Sequence, residues 1–262
     1  MKKKTILLAV LSAVLFAVSC QKDDRPDREQ IQYNLPVGAL PGEFTVNAEG
    51  KKVFFSKGNL VATINESGEP TVWKFATNQY DFLGKGGANE TIGQSAGDVD
   101  LFGWSTSSTT YGISTSRSTS TYSGNFVDWG KAYCASNSIA EGTWRTLSKA
   151  EWTYLFNNHP NKWVSVNGVN GYVIAPDGFS GTLADSYPNE AALAGFGLVF
   201  LPAAGYRSGS IVYVDNLGYY WSSSSVSTTF AYRLFFRSGG VFPGSMNTRC
   251  DGFIVRLVTE CQ

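Results

Sequence analysis

One histidine, His159, is all that the 262 residues contain. A Ser-His-Asp arrangement would have to be built on that single imidazole. It lies in NNHPN, where the pattern reads a helix exit and therefore a surface loop residue. No GxSxG nucleophile elbow occurs, and no glycine-rich phosphate loop followed by Lys and Ser or Thr. No CxxC pair occurs, so a zinc knuckle has no support. Charged residues make up only 16%, with 21 basic against 21 acidic side chains, which is no footprint for nucleic acid. The apolar run at residues 6–18 is too short to span a bilayer by itself.

What is present begins with that run. Lys2, Lys3 and Lys4 precede it, and small residues end it, as in a secretory signal peptide. The following AVSC resembles a bacterial lipobox. It implies a signal peptide over residues 1–19, cleavage before Cys20, and acylation of the Cys20 thiol and new amino terminus. The acidic QKDD directly after Cys20 resembles the export signal of surface-displayed lipoproteins, so an outer-membrane, cell-surface location is expected. Losing three lysines leaves 18 basic and 21 acidic residues, a net charge of −3. Residues 20–40 are polar, with Pro26 and Pro36, and read as a tether. A single domain is expected over residues 41–262, long enough to bury a substantial core. Its 28 glycines and 14% aromatics suit a loop-rich extracellular fold.

Short apolar runs separated by turn residues follow from Phe44 onward. KKVFFSKGNLVATI and TVWKFATNQYDF read as strands, with NESGEP as a hairpin-like turn between them. Of the 19 residues from Ser105 to Ser123, 14 are Ser or Thr; the tract lacks helical periodicity and reads as a long exposed loop. Two helices are then predicted. Asp128 caps a segment with Trp129, Ala132 and Tyr133 on one face. In LSKAEW, Ser148 and Glu151 have capping-box spacing, Leu147 and Trp152 occupy the staple positions, and Trp152, Leu155 and Phe156 form the buried stripe. FAYRLFFR alternates, placing Arg233 with Ala231 and Phe235 on one side. GFIVRLV is apolar on both faces except at Arg256 and reads as a central strand.

TWRTLSKAEWTYL resembles the tryptophan–arginine and capped-helix segment of formylglycine-generating-enzyme-like domains. GYYWSSSS, a strand, and then GFIVRLV resemble fibrobacter-type major paralogous domains. The resemblance covers residues 44–260 and departs from the family's Leu-Pro-Thr at Leu147-Ser148. It implies an α+β, C-type-lectin-like fold with two helices packed on short, mostly antiparallel strands. That fold carries enzymes, lectins and scaffolds alike.

The copper-holding cysteine pair of the formylglycine-generating enzymes belongs, as the resemblance runs, on the strand before the final segment. Here that strand has no cysteine. Calcium-dependent sugar binding also lacks its carboxylates, since YPNEA and YWSSS stand in their place. No cofactor or metal is implied. Non-catalytic binding of a glycan or peptide is expected, with Trp221, Tyr219 and Ser223 as candidate ligand residues. Core packing and strand alternation explain the same stretch without a ligand. A divergent enzyme or two-carboxylate hydrolase, with carboxylates such as Asp98, Asp100, Asp128 and Asp251 available, is the second reading. A structural or adhesive surface component is the third. The fold's bridge between first helix and final strand implies a Cys134–Cys261 disulfide, with Cys134–Cys250 as rival and three free thiols as the third possibility.

Overall fold

The structure, a computed structural model, describes residues 35–261. The expected signal peptide, Cys20 and most of the expected tether lie outside the described residues. The elements run in chain order β1 (Ala39–Thr45), β2 (Lys52–Ser56), β3 (Leu60–Ile64), β4 (Pro70–Phe75) and β5 (Gly97–Val99). Helix α1 (Trp129–Ser136), strand β6 (Trp144–Thr146) and helix α2 (Lys149–Asn158) follow. Next come β7 (Asn161–Val166), β8 (Val169–Ile174), β9 (Ser186–Tyr187), α3 (Glu190–Ala194), β10 (Val199–Pro202), β11 (Tyr206–Ser208) and β12 (Ile211–Tyr213). The chain closes with β13 (Gly218–Ser225), β14 (Phe230–Arg237), β15 (Gly240–Thr248) and β16 (Leu257–Glu260). This is an α+β fold, rich in short strands whose pairings are antiparallel except between β7 and β9. Strand β1 begins inside the stretch assigned to the tether, and its Leu40 is buried in the core.

The predicted hairpin is β3–β4. Asn65 Oδ1 accepts from the backbone N–H groups of Ser67 and Glu69 and so holds its turn. Strand β16 lies between β2 and β6 but is displaced from the predicted strand: of GFIVRLV only Leu257 and Val258 belong to it, while Gly252, Phe253 and Ile254 make isolated bridges to Arg207, Phe102 and Tyr220. Phe253, Val255 and Leu257 enter one core cluster, and Ile254 and Val258 enter the other. Strand β13 divides the same way. Tyr219 and Trp221 belong to the first cluster and Tyr220 to the second, so the aromatics of GYYWSSSS serve two cores at once.

Both predicted helices form with their predicted caps. Asp128 Oδ1 accepts from Gly130 N–H at 2.9 Å, and Asp128 also accepts from the Thr146 N–H and hydroxyl, which ties α1 to β6. Gly130 is required by that contact: a Cβ there would lie 1.9 Å from the Trp144 carbonyl oxygen. At α2 the Ser148 hydroxyl accepts from Glu151 N–H, and the Glu151 carboxylate accepts from Ser148 N–H. Leu147 and Trp152 are both fully buried in one cluster. The serines of β13 complete this helix start. Ser224 Oγ accepts from Lys149 N–H, and Ser223 N–H donates to the Leu147 carbonyl. Groups that a helix leaves unpaired at its first turn are thus satisfied by a neighbouring strand.

The Ser/Thr tract departs from a plain exposed loop. It contains a short 3-10 turn at Thr119–Tyr122, and Tyr122 is buried, its hydroxyl donating to the carbonyls of Ser114 and Ser116. Helix α3, capped by Asn189, has no counterpart in the sequence reading.

Candidate functional site

A surface pocket of about 460 Å³ opens beside β11, β13 and β14. That volume is in the range of small-ligand sites, about 300–1,000 Å³. Strand alternation builds it. Tyr206 and Ser208 project from one face of β11 into the pocket, while Arg207 between them is fully buried behind and donates to the Gly209 and Leu101 carbonyls. Tyr219 and Arg233, diagonal neighbours on one side of β13–β14, form another wall, and the end of β15 contributes Asn247 and Thr248 and the turn after it Asp251.

The aromatic rings of this wall cover one another. Tyr206 stacks on Tyr213 at 4.8 Å and meets Tyr219 at 5.0 Å, while Tyr219 stacks on Phe253 at 5.1 Å. Burial pushes the Tyr219 phenol up to about 12. The Arg233 guanidinium lies 4.8 Å from the centroids of both Tyr219 and Phe235. Its pKa is held below the usual arginine range by burial. The carboxylate of Asp251 is engaged locally: Oδ2 accepts from Asn247 Nδ2 at 2.7 Å and from Thr248 Oγ1 at 2.6 Å.

Of the three sequence-predicted ligand residues, one lines this pocket. Tyr219 does, presenting 9% of its surface. Trp221 does not: it is fully buried, its indole N–H donates to the Phe102 carbonyl at 2.6 Å, and its ring packs on Phe253 at 4.4 Å. Ser223 is half-buried and engaged with Leu147 at the start of α2. The core cluster on one side of β13 claims the tryptophan, and the adjoining helix claims the serine. Sequence reasoning named Asp251 only as one of several available carboxylates and missed Tyr206 and Arg233, although the alternation of FAYRLFFR placed Arg233 beside Ala231 and Phe235, which was the available signal.

The thiols of Cys134, Cys250 and Cys261 are free, so the Cys134–Cys261 bridge is not formed. Cys134 points at the backbone of Thr143 and Trp144, whereas Cys261 lies on the other side of β16, where its N–H donates to Lys52. Cys250 alone lines the pocket. His159 is buried rather than a surface residue. Its Nδ1 lies 3.0 Å from the Ala175 carbonyl oxygen and its Nε2 2.8 Å from that of Thr45. It borders a second pocket, about 290 Å³, beside Asp177, but backbone carbonyls face both ring nitrogens.

Asp98 and Asp100 do not form a shared site. Asp98 accepts from Lys74 and Thr63 at the surface, whereas Asp100 is buried and accepts from Leu83 N–H and Asn89 Nδ2. Burial raises the Asp100 carboxyl to about 6. Among the described residues, no group of three or more His, Cys, Asp or Glu side chains converges in a way that could hold a metal ion. No helix among them is long and apolar enough to cross a membrane. No protein-family model, curated protein or solved structure matches the chain.

Proposed function

We propose that this chain is a lipid-anchored, cell-surface binding protein of C-type-lectin-like fold, related to the fibrobacter-type major paralogous domains, and that the Tyr206–Tyr219–Arg233 pocket receives its ligand without turning it over. One observation carries the non-catalytic reading. The pocket has a single lining carboxylate, Asp251, and both Asn247 and Thr248 hydrogen-bond it. A glycosidase-type mechanism needs two carboxylates facing each other. Recognition needs only placed donors and a shaped wall, and these the pocket has.

The fold reading is supported by the capped α2 in its TWRTLSKAEWTYL context and by the position of the first helix. Helix α1 packs on β6, and β6 pairs with the final strand β16. The anchor reading rests on AVSC alone, and a Cys20→Ala variant should move from the membrane to the soluble fraction.

The test is an array of glycans and peptides probed with the full-length chain. Specific retention of ligands that are recovered chemically unchanged after long incubation is expected. Turnover of a retained ligand would contradict the non-catalytic assignment.

A further inference from the structure

We propose that the pocket receives the oxyanion of an acidic glycan, a sugar carboxylate or sulfate ester, with Arg233 as its anchor and Arg117 as a second cation. This rests on the pocket being the ligand site, and it names the ligand class.

Among the described residues Arg233 has no counter-charge in direct contact, although the Asp251 carboxylate acts on it through space. No ion pair among the described residues includes it, and its Nε and Nη1 are shut from solvent with no hydrogen-bond partner. Nη2 is not shut in this way and has no hydrogen-bond partner among the described residues, which leaves it as the nitrogen to reach the pocket that Arg233 lines. The rings of Tyr219, Phe235 and Phe253, 4.8 to 5.5 Å away, stabilise the cation through their quadrupoles. They do not replace the hydrogen bonds that its N–H groups make in the guanidinium plane. Nη2 is the donor an incoming oxyanion meets, and a charge-assisted hydrogen bond to it offsets part of the cost of holding the cation in this desolvated setting.

The surroundings have the same sign. Arg117, which forms no ion pair among the described residues, also lines the pocket, and its stem lies beside Gly209. Arg207 is buried behind the floor, close enough to Asp251 to feel its charge. Against these three guanidinium groups stand Asp251 and, near Tyr219, Asp215. The balance is +1 locally, on a chain whose mature net charge is −3. Low-dielectric walls focus such a field on the pocket mouth.

The glycan assignment comes from the rest of the lining. Thr119, Ser208, Asn247 and Thr248 present hydroxyl and amide groups, while the tyrosine faces are taken up by one another and by Arg233. That suits a hydroxylated ring held by its edges more than an apolar side chain.

The test titrates the full-length chain with four probes: an oligogalacturonate, its carboxyl-reduced neutral counterpart, a sulfated neutral galactan oligomer, and polyglutamate. One acidic glycan should bind about tenfold or more tighter than the neutral oligomer, as expected of one charge-assisted hydrogen bond, and added salt should weaken it. The preferred acid identifies carboxylate or sulfate. Arg233→Gln should remove the preference, and Arg233→Lys should restore part of it. If Arg233→Gln lowers the melting temperature too far, Arg117→Gln should weaken the acidic glycan selectively. Equal binding of acidic and neutral oligomers, both lost in Ser208→Trp, would keep the pocket and overturn the anion. Unchanged preference in Arg233→Gln and Arg117→Gln would overturn the arginines. Preference for polyglutamate would overturn the glycan. Binding of the glycans unaffected by Ser208→Trp, or no binding of any probe, would overturn the proposal as a whole.

Discussion

The indole nitrogen of Trp221 lies 2.6 Å from the carbonyl oxygen of Phe102, so the strand before the serines is pinned from within. Trp221→Phe should keep most of the apolar packing and lose this hydrogen bond, at about 1 kcal/mol. Trp221→Ala should cost about 3–5 kcal/mol through the cavity it leaves. Urea unfolding checks both. A role for the indole in ligand contact would instead show as lost binding at unchanged stability.

Helix α2 supplies a second test. Ser148→Ala should cost about 1 kcal/mol, the usual size of an N-cap loss. Glu151→Ala should cost more, because its carboxylate also pairs bidentately with Arg145, at 2.7 and 3.0 Å, in a largely buried setting. Equal losses for the two variants would show that the Arg145 pair contributes nothing.

Asp100 sets a pH dependence of opposite sign to most carboxylates. Burial raises its folded pKa to about 6 from an ordinary value of 3.8. The folded state therefore holds the proton more tightly than the unfolded state. Its stabilising contribution is complete below about pH 3.8 and is lost as pH rises through about 6. At about 1.4 kcal/mol per pH unit, up to about 3 kcal/mol is at stake. The stability of Asp100→Asn relative to the parent should rise between pH 4 and pH 7, measured by urea midpoints at each pH. A flat difference would mean that the carboxyl ionises freely in the fold.

The three thiols should be recovered unbridged. Non-reducing peptide mapping should find Cys134, Cys250 and Cys261 in separate peptides. Burial raises the Cys261 thiol to about 11, so its alkylation should be slow near pH 8 and should accelerate as pH climbs toward that value. A Cys134–Cys261 cross-linked peptide would contradict the arrangement of β2, β16 and β6.

The parts of this molecule that were legible in the sequence are those decided over a few residues. The Asp128 and Ser148 caps join side chains to backbone groups two or three positions away, and the two-sided burial of residues 252–258 follows from their own apolar pattern, although only Leu257 and Val258 of them lie in β16. What was missed depends on distant partners. His159 is buried because the carbonyls of Thr45 and Ala175 come to it from 114 and 16 residues away. Core packing was one of two readings of Trp221, and nothing near it in sequence announces the Phe102 carbonyl that holds it in the core. The pocket was invisible for the same reason: Tyr206, Tyr219, Arg233 and Asp251 meet only once β11, β13, β14 and the turn after β15 are assembled.

The most direct test of the central claim, that this pocket is the ligand site, fills it. Ser208 lines the pocket from the short strand β11, and Ser208→Trp places an indole in the space a ligand would occupy. Parent and variant chains are compared on the same glycan and peptide array, with melting temperatures as a control for folding. The account predicts that the variant keeps its melting temperature and loses the parent's binding pattern. An undiminished pattern in the folded variant would contradict it.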